Sequence, residues 1–330
     1  MREYLVKRIA IALLTLYVIL TLNFLIFQVL SPVNPAKMIL DPRFKPEQRR
    51  MLEEQFGIYE STPIRYVKYL QSLLTWNFGV SFLTRNSVST ELSFRLYNTV
   101  ILLGTVLIAT MIVGIPLGIM AASKRGAKVD VFTIGSGLFT WAMPVFFIEL
   151  LFMLLFAYYF KQWFGWLYFP SSGMHSNPIP SEPIAYIADI AWHMAVPVAA
   201  LAIGGFGSWA LYTRNLLLDS LTQDYILTAR AKGLSERSVL YRHAFSSALP
   251  PVVTMITLSI PGIVVGAMIT EYIFTWPGVG SWYLGAMQAN DYPVVQAVLY
   301  VYSILVIIFN FLADILYGVL DPRIRVGTRR

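Results

Sequence analysis

The chain has 330 residues, 57% of them hydrophobic and 13% charged, with a mean hydropathy of +0.62 and a formal charge of +7. So apolar a composition excludes an ordinary soluble globular protein and indicates a polytopic membrane protein. With no cysteine and only three scattered histidines (His175, His193, His243), disulfide scaffolds, thiolate zinc sites and cysteine nucleophiles are excluded and no metal is expected.

The chain opens on the basic segment MREYLVKR, followed by an apolar run from Ile9 to Leu30. That run is longer than the apolar part of a signal peptide, and LSPVNPA has no small-residue cleavage pattern, so a retained first transmembrane helix is expected. Five further stretches are long and apolar enough to span: Asn98 to Ala122, Val131 to Phe160, Ala191 to Tyr212, Ala248 to Tyr272 and Pro293 to Gly318.

If the N-terminus is cytoplasmic, every inner segment carries a basic cluster: Arg2, Lys7 and Arg8; Lys124, Arg125 and Lys128; Arg214, Arg230, Lys232, Arg237 and Arg242; and Arg323, Arg325, Arg329 and Arg330. The two shorter outer loops hold only Lys161. An N-in, C-in arrangement of six helices follows, and the positive charge is explained without nucleic acid.

The loop from Ser31 to Tyr97 is too long to be structureless, and helical stretches are expected near Pro46 to Phe56 and from Pro63 to Trp76. The outer segment from Lys161 to Asp189 is rich in Pro, Trp and Tyr and suits the membrane interface.

Ionisable residues inside spans are costly and mark candidate functional positions. Glu149 in MPVFFIELLF follows Pro144, where a kink is expected; it either faces a substrate path or hydrogen-bonds a neighbouring helix. Asp314 shares a helix face with Asn310, an arrangement that favours helix anchoring. Glu271 and His193 fall near outer ends of spans, within reach of water.

The densest charge lies in DYILTARAKGLSERSVLYRHAF, from Asp224 to Phe245. Asp224 can cap a helix running to Lys232, Gly233 suits the left-handed position after it, and Ser235 can cap a second helix with Glu236 in its first turn. Leu234 can staple onto Val239. Ala229 and Ala231 are expected on an exposed, small-sided face. A basic membrane-surface helix is the competing reading, but the apolar face it needs is narrow here; a bracket fitting a protein groove suits the segment better.

DYILTARAKGL and RHAFSSALPPVV together resemble the cytoplasmic loop of ABC-importer permeases of the dipeptide/oligopeptide subfamily. In chain order EEQFGI, GIPLGIMAA, MPVFF, HMAVPVAAL, EYIFTWPGVG, NDYPVVQA and LDPRIR resemble that family too, so the likeness covers the whole chain. WNFGVSF is looser than the family pattern, and Glu149 stands at a usually apolar position.

The resemblance implies an all-α polytopic protein with the type I ABC importer permease fold. It divides the chain into a tail and first helix (1–30), an external loop domain (31–97), a core of five transmembrane helices (98–320) with a coupling loop (213–247), and a cytoplasmic tail (321–330). It assigns Asp224, Tyr225, Thr228, Ala229, Arg230, Ala231, Lys232, Gly233, Leu234 and Glu236 to coupling with an ATPase. Pro144, Glu149 and Glu271 become candidates for the translocation path, and Arg242, His243, Asp314, Asp321 and Arg323 are structural positions.

The implied function is half of an import pathway for peptides in the cell membrane, working with a second homologous permease, two ATPase subunits and an external substrate-binding protein. No catalysis is expected of this chain; lacking a G-x-x-x-x-G-K-[ST] sequence, it leaves ATP and magnesium to the ATPases. Oligosaccharides, nickel or glutathione are alternative substrates. An ion-coupled secondary transporter using Glu149, Asp314 and His193, and a membrane-embedded hydrolase, are alternatives of other classes.

Overall fold

The computed structural model describes residues 2–30, 46, 47, 50, 53, 57, 59–265 and 267–320. The expected helix near Pro46 to Phe56 lies mostly outside these residues, as do EEQFGI in large part and both Asp321 and Arg323. Among the described residues there is no strand, only an isolated bridge between Val80 and Ser87.

Helix α1 (Arg2–Phe24) passes into a π-helical turn at Leu25–Val29. Helix α2 (Thr62–Leu74) begins after extended Ser61 with Pro63 in its first turn, where a missing N–H costs nothing. Helix α3 (Val88–Ser123) starts ten residues before the expected boundary. Its first turns bury Val88 and Leu92, so they belong to a packed core as well as to a span.

The expected third span divides. Helix α4 (Lys128–Ala142) stops where Met143 turns extended before Pro144, and α5 (Val145–Phe152) restarts there. Proline disfavours a helical residue before it, so Pro144 separates two helices and does not kink one. Helix α5 continues through π-helical Met153–Tyr159 to Phe160–Phe164.

Helix α6 (Pro183–Leu221) is followed by the short α7 (Asp224–Ala231). Glu236–Ser238 and a π-helical turn, Val239–Ala244, then lead into α8 (Phe245–Val265). The remaining helices are α9 (Met268–Ile273), α10 (Val279–Ala289) and α11 (Tyr292–Leu320). Among the described residues six helical stretches are long and apolar enough to cross a membrane: Val6–Val29, Val88–Ser123, Val145–Phe164, Pro183–Leu221, Glu236–Ile263 and Tyr292–Leu316. The fifth therefore begins and ends earlier than expected, with α9 a separate helix.

The chain forms two compact units. One comprises Met1–Thr99, Leu258–Met268 and Pro277–Asp314. Its core joins Phe24 of α1, Tyr69 and Leu73 of α2, Leu92 of α3, Trp282 of α10 and Val298 of α11. Buried Asp291 ties down the segment before α3: it accepts from Ser81 Oγ at 2.5 Å and from the N–H groups of Phe82 and Leu83 at 2.9 and 3.0 Å. Asp314 pairs with Arg8 of α1 at 2.8 Å.

The other unit comprises Val100–Thr257, Ile269–Trp276 and Ile315–Arg330. Its helices meet through small residues. A Cβ on Gly207 of α6 would fall 2.6 Å from the Cα of Gly137 in α4, and one on Gly118 of α3 would fall 2.5 Å from the carbonyl oxygen of Ala210. Lipid supplies no hydrophobic drive between helices, so close backbone approach and the dispersion contacts it permits are what hold them.

Candidate functional site

The segment after α6 is built as a corner. Gln223 is extended and precedes α7, so Asp224 is the first helical residue and not the cap, a correction of one position. Its carboxylate still complements the helix N-terminus. At the other end Gly233 N–H bonds the Arg230 carbonyl (2.9 Å) and Leu234 N–H bonds that of Ala229 (3.4 Å), the pairing of a Schellman motif. Gly233 takes φ +74°, a left-handed conformation that costs glycine nothing.

Ser235 restarts the chain as expected, its Oγ accepting from Ser238 N–H at 3.4 Å. Across the corner Arg230 donates to both Glu236 oxygens, Nε at 2.9 Å and Nη2 at 3.2 Å. Both groups are exposed, so this pair shapes the corner more than it stabilises the fold.

The bracket is packed onto the spans on both sides of it. Ile226 and Ala229 are buried with Ile119, Leu217, Val239 and Ala248. Ser220 Oγ bonds the Tyr225 hydroxyl (2.6 Å) and the Ala244 carbonyl (2.9 Å), tying α6, α7 and the π-helical turn together. Ala229 therefore faces inward, against the expectation that it is exposed: with Ile226 it forms the one apolar stripe a helix this short can bury. The outer face is made by Leu227, Thr228, Ala231 and Lys232. Val239 is buried, whereas Leu234, its expected staple partner, remains 39% exposed.

Glu149 of α5 is fully buried. Its Oε1 accepts a hydrogen bond from Thr270 Oγ1 of α9, and Oε2 has no hydrogen-bond partner among the described residues. Glu271, the next residue of α9, is also fully buried, and His193 is nearly so; neither sits where bulk water reaches it in this conformation. His193 Nδ1 lies 2.8 Å from the Asp189 carbonyl oxygen one turn earlier, and the Asp189 side chain accepts from Ser176 Oγ (2.6 Å) and N–H (2.9 Å). Among the described residues no cluster of His, Asp and Glu is placed to hold a metal ion.

Besides Asp189, two further buried acids were not singled out from the sequence. Asp130, in the first turn of α4, receives Arg214 of α6 through Nε at 2.5 Å and Nη2 at 3.0 Å, with Gly126 N–H adding a bond at 2.8 Å. The Arg214 hydrogen bonds hold the Asp130 carboxyl below its ordinary range, against the opposing effect of burial. Asp291 is the reverse: burial pushes its carboxyl up despite bonds from Ser81, Phe82 and Leu83. The available signals were slight, an acid in a helix's first turn for Asp130 and a place in NDYP for Asp291.

Residues 114–326 match the family described as "Binding-protein-dependent transport system inner membrane component", and residues 1–103 match its N-terminal companion. The chain is 32% identical to the oligopeptide transport system permease protein AppB of Bacillus subtilis, over 98% of this chain and 99% of that one. It is 32% identical, over the same shares, to the dipeptide transport system permease protein DppB of Escherichia coli. A di/tripeptide transport system permease protein of Pseudomonas aeruginosa is 31% identical, again over 98% and 99%. With six spanning helices, these matches make the chain a multi-pass protein of the cell membrane.

Proposed function

Because the chain belongs to the family of binding-protein-dependent transport system inner membrane components, we propose that it is the permease subunit of an ATP-driven importer of short peptides. It pairs with a second, homologous permease as a heterodimer, and the two halves receive peptide from an external binding protein. Two ATPase subunits bind ATP and magnesium on the cytoplasmic side. The N- and C-termini face the cytoplasm, as the basic clusters of the inner segments favour.

The observation that carries this reading is the packed corner at Gly233. A loop meant to transmit motion must not absorb it, and this one has its glycine conformation, its Ser235 cap and its buried Ile226–Ala229 stripe all opposing local bending. In this proposal Asp224, Tyr225, Thr228, Arg230, Ala231, Lys232, Gly233, Leu234 and Glu236 form or hold the bracket, with Ala229 keying it to the spans. The ATPases close on ATP and move the bracket as one body, and the spans reorient between inward-open and outward-open states.

Glu149, Pro144 and Glu271 remain proposed contributors to the path. The break at Pro144 and the buried carboxylates beside Thr270 supply a polar seam between α5 and α9 that a change of state can open. Peptide as cargo rests on the relatives' names.

The test is co-purification followed by one variant. The tagged chain should retain ATPase subunits, and Gly233→Trp should leave it inserted while uncoupling ATPase stimulation from uptake. Nothing lies within 4 Å of a Cβ at Gly233, so the substitution acts at the outer face and through the backbone, not by disrupting the spans. Unchanged uptake by that variant would exclude the bracket as the lever, and uptake by the chain alone that collapses with a protonophore would favour ion coupling. Identifying the ligand on the cognate binding protein tests the peptide assignment.

A further inference from the structure

We propose that the cavity formed by Ser235, Arg237, Ser238, Tyr241 and Arg242 binds the phosphate headgroup of an anionic phospholipid. The cavity is open to the surface and encloses about 490 Å³, room for a headgroup. Ser235, Arg237 and Ser238 come from the cap and first turn, and Tyr241 and Arg242 from the π-helical turn Val239–Ala244 that follows. In an α-helix, residues five apart point about 140° away from each other. The π-helical turn that begins at Val239, between the two arginines, narrows that angle, and Arg237 and Arg242 both line the one cavity.

Neither arginine is paired with a carboxylate among the described residues, in contrast to Arg230, which Glu236 holds. Two unpaired planar forks beside a phenol and two hydroxyls make a donor set matched to phosphate oxygens. Ser235 uses its Oγ as an acceptor for Ser238 N–H, which leaves its own O–H to donate.

Position selects a lipid as the source of the phosphate. The cavity lies at the first residues of the candidate span Glu236–Ile263, where a bilayer's headgroups meet a spanning helix. Tyr241 is 48% exposed there, as an interfacial aromatic would be, and Leu249 farther along the helix offers apolar surface to acyl chains. The proposed ATPase-facing surface is the outer face of α7, on the other side of the Gly233 corner. A lipid held here would fix the end of the fifth span to the leaflet next to the element that is proposed to move.

The test uses the full-length chain purified in detergent, titrated separately with phosphatidylglycerol, phosphatidylcholine and inorganic phosphate, and read by native mass spectrometry. Phosphatidylglycerol should be retained about tenfold more tightly than phosphatidylcholine, and Arg237→Gln with Arg242→Gln should remove most of that preference, the loss expected for two cation–headgroup contacts. Paired lysine substitutions should restore part of it, and added salt should weaken it. Retention of phosphatidylcholine by the glutamine variant reports that it is folded. Should the double variant not insert, the single Arg237→Gln and Arg242→Gln variants, at exposed positions, should each give a loss of about threefold.

An unchanged phosphatidylglycerol preference in the variants overturns the proposal. So does displacement of the lipid by millimolar inorganic phosphate, which would assign the cavity to a soluble anion. Loss of ATPase co-purification with lipid retention intact overturns it as well, assigning the arginines to an acidic groove of the partner.

Discussion

Thr270 donates its hydroxyl to Glu149, a residue 121 positions earlier in the chain, and the two lie buried where α9 meets α5. This bond is one of the few polar contacts that a membrane-depth carboxylate has, because the second Glu149 oxygen has no partner among the described residues. Thr270→Val keeps the shape of the side chain and leaves a buried acceptor bare. The variant should lose about 1–3 kcal/mol of stability, read as a lower thermal midpoint in detergent. Glu149→Gln preserves the bond from Thr270 and should be the milder change. If Glu149 contributes to the path, Glu149→Leu should also alter peptide selectivity or uptake rate; a variant that only melts earlier marks it as a packing residue.

The Asp130–Arg214 pair predicts a pH dependence of known sign. A carboxyl whose folded pKa lies below its unfolded value stabilises the fold above that value, and the contribution is lost as pH falls through the folded one. Asp130 is of this kind, with 3.8 as the unfolded reference. At neutral pH Asp130→Asn leaves the partly buried Arg214 without its counter-charge and should cost about 1–3 kcal/mol. The difference in thermal midpoint between variant and wild type should shrink as pH is taken below 3.8. A constant difference would mean that hydrogen bonding, not charge, holds α4 to α6.

Gly207 and Gly135 should respond to alanine in opposite ways. At Gly207 the added methyl meets the backbone of Gly137 at 2.6 Å, so α4 and α6 must separate, at about 1–3 kcal/mol. At Gly135, two residues before Gly137 and on the opposite face of α4, nothing lies within 4 Å, and removing glycine's entropy cost should stabilise the helix by about 0.5–1 kcal/mol. Thermal midpoints of the two purified variants decide the matter.

At Gly233 the cost is conformational. Gly233→Ala must hold φ +74° with a Cβ, at about 1–2 kcal/mol, whereas asparagine tolerates that region better. If the corner transmits motion, peptide-stimulated ATP hydrolysis in the reconstituted assembly should fall in the order glycine, asparagine, alanine. Equal stimulation by all three would show that the corner's shape is not used.

What the sequence determined by itself is what depends on neighbouring residues. Span number follows from apolar length alone, because a backbone in lipid must satisfy its own hydrogen bonds within the helix. The Gly233 corner and the Ser235 cap were readable for the same reason, since each is settled within six residues. Even the break at Pro144 had its local signal, although its outcome, two helices and not a kinked one, was not legible.

Only the tertiary structure decided which way side chains face and what they meet. Ala229 was expected on the outer face but is buried, because Leu217 and Val239 complete an apolar stripe that its own helix cannot reveal. Glu149 finds Thr270, Asp130 finds Arg214 and Asp291 finds Ser81 across separations of 121, 84 and 210 residues. Such pairings are fixed by helix packing, and packing here depends on backbone approach at Gly118, Gly137 and Gly207, a property of two surfaces together that no single stretch of chain encodes.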